Sequence, residues 1–244
     1  MSIPRFHCAE VFTAGQTLPL PAEVFHHAVR VRRLRVGDEL MLFSGDGAET
    51  LARLIAVERN RADIEIVSGS PADRESPLAI TLLQGISAGD RMDYTLQKAV
   101  ELGVAAIVPV LAERSIVRLA GERAKKRSAH WREIVISACE QCGRNKIPEV
   151  LPAMTLSEAL LTSAAAHATR FVLSVAGGRR LRDLARPAGS VALLAGPEGG
   201  LSADEEQAAR DAGFVPLSLG PRVLRTETAA VAALAAIQAL WGDG

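Results

Sequence analysis

The sequence predicts an α/β protein, with a β-rich N-terminal domain followed by a parallel sheet flanked by helices. Three observations carry this. Strand-like runs crowd the first 70 residues. From residue 78 onward, short apolar runs alternate with helical patterns, the grammar of a parallel sheet covered on both faces. Hydrophobic residues make up 48% of the 244, enough to fill two cores and to exclude a disordered chain.

The elements follow in order. Glu39–Phe43 and Ala62–Val67 have strand patterning, and Ser44-Gly45-Asp46-Gly47 is a turn signal between strands. A helix is expected over Pro21–Arg33, with Gly37-Asp38 turning the chain after it. The polar, proline-bearing run 68–77 reads as a linker, so the expected division is 1–70, a linker at 71–77, and 78–244. Leu78–Ile86 is an apolar strand, and Met92–Leu102 is a helix that Gly103 ends. Ala105–Leu111 is a second strand. A long helix covers Ala120–Cys142, with Trp131, Ile134, Val135 and Ala138 on one stripe. Phe171–Val175, Val191–Ala195 and Phe214–Leu219 are three more strands. Ser202 and Glu205 have capping-box spacing before a helix ending near Gly213. Thr226 reads as the N-cap of the final helix, and Glu227 sits where its dipole favours an anion.

Charge and composition narrow the function. Lys and Arg number 28, as do Asp and Glu, so any nucleic-acid contact must come from a local basic cluster. Arg30, Arg32, Arg33 and Arg35 are such a cluster, and with Arg5, His7 and His27 they are phosphate-binding candidates. The N-terminus lacks the apolar stretch of a signal peptide. Ala229–Leu240, interrupted by Gln238, is too short to span a bilayer. Three cysteines, an odd number, fit a reducing compartment, so a soluble cytoplasmic protein without a membrane anchor is expected. Cys139-x-x-Cys142 supplies two ligands where a structural zinc needs four, and its cysteines read as packing residues with no metal.

The chemistry concentrates near the C-terminus. Leu193-Leu194-Ala195-Gly196-Pro197-Glu198-Gly199-Gly200-Leu201-Ser202 and Leu219-Gly220-Pro221-Arg222-Val223-Leu224-Arg225-Thr226-Glu227-Thr228-Ala229 each carry a glycine-proline turn between a strand and a helix. Glycine lets backbone approach a ligand closely, and the amides opening the following helices lack intrahelical partners. Leu194, Leu219 and Leu224 offer apolar walls. Neither Gly-x-Gly-x-x-Gly nor a Walker pattern occurs, which disfavours nicotinamide and nucleoside-triphosphate chemistry. A small, partly polar cofactor remains as the occupant.

These two runs resemble the signature of the SPOUT methyltransferases. More narrowly they are similar to the bacterial family that methylates N3 of uridine 1498 in 16S ribosomal RNA. Gln97-Lys98-Ala99-Val100-Glu101-Leu102-Gly103, Ala112-Glu113-Arg114-Ser115 and Ala138-Cys139-Glu140-Gln141-Cys142-Gly143-Arg144 extend the likeness, as does His27-x-x-Arg30-Val31-x-Arg33 with Gly37-Asp38. Arg32 departs from it, standing where an apolar residue is expected. The resemblance implies a PUA-like RNA-binding β-barrel at 1–70 and a SPOUT domain with a deep C-terminal trefoil knot at 78–244. It implies S-adenosylmethionine bound in the knot by Leu194, Gly196, Glu198, Gly199, Gly200, Leu219, Gly220 and Leu224, with the site completed by a homodimer partner. Arg225 and Glu227 are the implied catalytic pair, Arg225 stabilising the developing uridine anion because a guanidinium cannot serve as base. Glu227 and Glu198 also fit helix-end stabilisation, and the general base stays open. Arg5, His27, Arg30 and Arg33 are the implied RNA contacts, with 16S ribosomal RNA of an assembled small subunit as partner. The alternatives are a knotted methyltransferase acting on a ribose 2′-hydroxyl or on transfer RNA, and a non-catalytic RNA-binding module.

Overall fold

The computed structural model describes residues 3–10, 12–117 and 121–244. The chain divides into two compact units. One runs to Glu75 and takes in Ile136–Ile147; the other holds Ser76–Val135 and Pro148–Gly244. The sequence expectation placed 136–147 with the second domain; here those residues group with the first.

In the first unit, β1 (Arg5–His7), β2 (Thr17–Pro19), β3 (Glu39–Phe43), β4 (Ala48–Val57) and β5 (Ala62–Pro71) form a sheet in the order β1-β3-β4-β5-β2. Only β1 and β3 pair in parallel. Leu40 and Leu42, Ala52 and Leu54, and Ile64 and Ile66 stand two apart on their strands, so each pair points to one face, and all six are buried. Asp46 closes the turn between β3 and β4, accepting hydrogen bonds from the Ser44 hydroxyl at 2.6 Å and the Ala48 amide at 2.9 Å. Strand β5 runs further than expected, to Pro71, because Glu49 and Thr50 of β4 pair with Ser70 and Gly69. The expected linker therefore begins inside a strand.

The helix expected over 21–33 is two pieces, α1 (Ala22–Phe25) and a π-helical turn over His26–Val31. Arg33 ends it with φ of 60°, and the Leu34 amide donates to the Ala28 carbonyl at 3.0 Å. This is the left-handed stop that glycine usually supplies, occupied by an arginine.

Segment 136–147 joins this unit through polar contacts. Glu49, 9% exposed, accepts from Arg5 Nη1 at 2.8 Å, Arg74 Nη1 at 3.0 Å and Asn145 Nδ2 at 3.1 Å. Burial opposes ionisation of Glu49, but the hydrogen bonds from Arg74, Arg5 and Asn145 outweigh it and hold its pKa at about 2. Asn145 also donates to the Ala72 carbonyl at 3.0 Å, and Arg144 pairs with Glu75. Cys139 is fully buried and its thiol is pushed up to about 12, chiefly by burial. It donates weakly to the Lys146 carbonyl at 3.8 Å.

The second unit is built on β6 (Ile80–Gly85), β7 (Ala106–Leu111), β8 (Glu149–Val150), β9 (Met154–Thr155), β10 (Thr169–Leu173), β11 (Val191–Ala195) and β12 (Val215–Leu217). The order is β12-β10-β11-β6-β7-β8, with β9 also on β7, and every pairing is parallel. All five residues of β11 are buried, as a central strand covered on both faces requires. The helices are α2 (Gly89–Glu101), α3 (Gly121–Cys142, of which the residues from Ile136 on belong to the first unit), α4 (Leu156–Ala166), α5 (Ala203–Asp211) and α6 (Thr226–Trp241); α2 packs on α6 and α4 on α5. The Ala120 end of the expected long helix lies outside the described residues. The Ser202–Glu205 capping box forms as expected, and a second one, Thr155–Glu158, starts the unexpected α4. Thr226 is not the N-cap of α6. Arg225 holds that position, and Thr226 is the first helical residue.

Candidate active site

Parallel strands place their carboxyl ends on one edge, and the loops leaving that edge build the site. Segments 173–177, 195–201 and 217–226, following β10, β11 and β12, line one cavity of about 670 Å³. That volume lies within the range of small-molecule sites, roughly 300–1,000 Å³.

The 196–200 turn is compressed against its surroundings. A β-carbon on Gly196 would stand 3.0 Å from the Leu201 amide nitrogen, and one on Gly85, ending β6, only 2.4 Å from the Pro197 nitrogen. Gly200 and Gly220 differ from these. Their φ values are +69° and +114°, and a β-carbon on either meets nothing within 4 Å. Glycine is required there for backbone conformation, beside open space.

A buried polar staple ties the turn to the last helix. The Thr226 hydroxyl donates to the Gly196 carbonyl at 2.6 Å and accepts from Gln84 Nε2 at 3.1 Å. Gln84 is fully buried, and its Nε2 also reaches the Gly85 carbonyl at 3.0 Å. Its Oε1 is buried without a hydrogen-bond partner. The far side of the turn is held by Glu198. Its Oε1 accepts the Ala88 amide at the start of α2 at 2.8 Å and lies 3.4 Å from Arg91. Arg114 Nη1 donates to the Gly199 carbonyl at 3.2 Å.

Of the expected cofactor residues, Gly196, Glu198, Gly199, Gly200, Leu219, Gly220 and Leu224 line this cavity, as does Arg225. Leu194 does not: it is buried in the core with Leu83, Val110 and Val172, because β11 is covered on both faces. Glu227 is absent from the lining. It sits half-buried in the first turn of α6, with Oε2 buried and unpartnered. Glu198 lines the cavity, with Oε1 occupied at the α2 terminus and Oε2 buried without a partner; the helix end it holds is 110 positions away in sequence. Gln84 and Thr226 were missed as site residues. The signal for Gln84 was a lone polar residue near the end of an otherwise apolar strand.

Among the expected RNA contacts, His27, Arg30 and Arg33 are exposed on the first unit. Arg30 donates to the Arg59 carbonyl and lies over the Phe25 ring at 5.6 Å. Arg5 is a correction. Its guanidinium is 13% exposed, bound to Glu49 and Asn145 and stacked over Phe43 at 5.3 Å, so it serves the interior of its unit.

Comparison with known proteins gives a consistent result. A family model described as an RNA methyltransferase domain matches residues 74–238, and an RNA methyltransferase PUA domain model matches 20–67. The chain is 35% identical over 242 residues to the ribosomal RNA small subunit methyltransferase E of Buchnera aphidicola subsp. Schizaphis graminum, covering 99% of this chain and 98% of the relative. It is similar to the crystal structure of a ribosomal RNA small subunit methyltransferase E from Neisseria gonorrhoeae bound to S-adenosyl methionine. There the TM-score is 0.92 and the identity 49%, over 99% of both chains. A Legionella pneumophila structure described with the cofactor SAM bound superposes with a TM-score of 0.95 at 41% identity over all of both chains.

Proposed function

This chain belongs to the RNA methyltransferase family, and on that premise we propose that it methylates N3 of uridine 1498 in 16S ribosomal RNA, using S-adenosylmethionine. The observation that carries the reading is the cavity formed where the two glycine-proline turns meet. The residues fit the cofactor. Two left-handed glycines border open space, and Leu219 and Leu224 supply apolar walls. When bound, the cofactor supplies an electrophilic methyl group; the protein must present the nucleophile to it.

N3 of uridine carries an imide proton, and its loss leaves an anion that needs a cationic partner. Arg225 lines the cavity at the N-terminus of α6 and is exposed for that role. Glu227, in the first turn of the same helix, contributes the adjacent carboxylate, placed where the helix dipole favours an anion. The Gln84–Thr226–Gly196 staple fixes the α6 terminus relative to the cofactor turn, and positioning of this kind supplies much of the acceleration.

The first unit is the RNA platform in this reading, with His27, Arg30 and Arg33 holding phosphates, and the division of labour falls near 1–70, 71–77 and 78–244 except that 136–147 goes with the first unit. A second copy completes the site. Along α6, Ala230, Ala233, Leu234, Ile237 and Trp241 are buried within the chain. Val231, Ala232, Ala235, Ala239 and Leu240 are apolar and only partly covered or exposed, a stripe suited to another protomer. Among the described residues no helix is long and apolar enough to cross a membrane. The assembled small subunit in the bacterial cytoplasm is the proposed setting. Nucleoside analysis of ribosomal RNA from a deletion strain tests the reading: it predicts loss of 3-methyluridine, whereas loss of a 2′-O-methyl nucleoside would replace it with ribose methylation.

A further inference from the structure

We infer that Arg180 and Arg222 form a phosphate grip at the mouth of the cavity, holding the RNA strand beside the target nucleotide; this rests on the methyltransferase reading above. Charge around the cavity is unbalanced. Four arginines line the cavity, Arg114, Arg180, Arg222 and Arg225, against two carboxylates, Glu198 and Glu206. Each carboxylate already has a partner outside this arginine set, although Glu198 Oε2 is buried without one. Glu198 faces Arg91 and the Ala88 amide, and Glu206 pairs with Arg210 at 3.1 Å and accepts from the Ser174 hydroxyl at 3.0 Å. Arg114 is spent on the carbonyls of Gly199 and Leu201. Arg180, Arg222 and Arg225 are exposed, and their side chains make no hydrogen bond or ion pair to a described residue.

The chain is neutral as a whole, so this surplus is local. S-adenosylmethionine does not call for it, since the sulfonium and amino groups make it a net cation with a single carboxylate. With Arg225 assigned to the uridine anion, the remaining charge matches a polyanion, and the phosphodiester backbone of the substrate is the polyanion the reaction brings. The chain at Arg180 is also pinned at its backbone, the Arg180 carbonyl accepting from the Asp183 amide at 3.0 Å. The Arg179 amide donates to the Pro216 carbonyl at 2.9 Å, and the Ser218 amide donates to the Arg179 carbonyl at 3.0 Å. A β-carbon on Gly178 would stand 2.5 Å from the Pro216 oxygen, and Leu181 is buried. The fixed backbone anchors a free guanidinium beside the cavity, and the side chain orders only when an anion binds.

The test uses full-length Arg180→Ala, Arg222→Ala and Arg180→Lys with a 16S RNA fragment containing the target. It measures RNA affinity across salt, adenosylmethionine affinity by calorimetry, and steady-state kinetics. Each alanine variant is expected to lower the magnitude of the log–log salt slope by about 0.7 and to raise KM for RNA roughly tenfold. Turnover and cofactor affinity should stay within about twofold of wild type, and the lysine variant should recover the slope. Unchanged RNA affinity and slope would overturn the grip, and so would a matching loss of adenosylmethionine affinity, which would assign these arginines to the cofactor carboxylate. Wild type run in parallel separates the two readings: wild type that binds cofactor but methylates no RNA overturns the proposed function, while the salt slopes still decide the grip.

Discussion

Replacing Thr226 with valine tests the staple that joins the two ligand turns. The change is nearly isosteric and exchanges a hydroxyl for a methyl. It removes the 2.6 Å hydrogen bond to the Gly196 carbonyl and the acceptor for Gln84 Nε2 at 3.1 Å. Gln84 is fully buried and retains the Gly85 carbonyl at 3.0 Å, so its amide stays partly satisfied. The Gly196 carbonyl keeps only a marginal contact to Gln84 at 3.5 Å. Leaving one such group unpaired costs about 1–3 kcal/mol. If that cost falls on the ligand-ready arrangement of the 196–200 turn, adenosylmethionine affinity drops by about 5- to 150-fold. Thermal unfolding should fall by about 2–4 °C for each kcal/mol lost globally. Thr226→Ser keeps the hydroxyl and should recover most of the affinity. Calorimetry on the three proteins decides it: Thr226→Val binding cofactor as tightly as wild type would remove the staple from the account.

Further outcomes follow from other parts of the chain. Glu49 has a folded-state pKa of about 2 against an ordinary 4.5, so its stabilisation is complete above pH 4.5 and is lost as pH falls toward 2. Glu49→Gln should remove that part of the acid dependence, at most about 3 kcal/mol in urea titrations compared with wild type from pH 7 to pH 3; parallel curves would contradict it. Arg30→Ala with Arg33→Ala should lower the magnitude of the RNA salt slope by roughly 0.7–0.9 per contact, with cofactor affinity unchanged; calorimetry showing an equal loss for the cofactor would count against a division of labour between the units. Gly220→Val should weaken cofactor binding by more than tenfold in a folded protein, because φ of +114° strains any branched residue and the new side chain enters open space. Gly196→Val, whose β-carbon would press on the Leu201 amide, should also lower the melting temperature.

What could be read in advance was local. Strands β6, β7, β10, β11 and β12 and the Ser202–Glu205 cap were legible because each depends on neighbouring residues, whereas β8 and β9, two residues each, are too short to show a pattern. The glycine-proline turns were legible as loops leaving strands, because glycine with proline marks a turn, and both line one cavity. The residues read wrongly were decided by partners distant in sequence. Arg5 resembled a free basic residue until Glu49, 44 positions on, and Asn145, 140 on, enclosed it. Leu194 resembled a cavity wall until β10 and β6 flanked its strand and the core covered both faces. Residues 136–142 continue a helical pattern, and nothing in that pattern shows that Asn145, just beyond it, completes the Glu49 network of the first unit. Helix α4 was a different failure, because Thr155 and Glu158 carried a capping-box spacing that went unread. The π-helical turn at His26–Val31 has no periodicity of its own that a short window can separate from an α-helix.

The most direct test of the central claim is methylation in vitro by the purified protein with labelled adenosylmethionine, offered free 16S RNA and assembled small subunits, with the product base mapped. The account predicts label on N3 of a single uridine, greater on the assembled subunit, and loss of turnover in Arg225→Ala exceeding its loss of RNA affinity. Label on a ribose 2′-hydroxyl, or none with either substrate while cofactor binds, would contradict it.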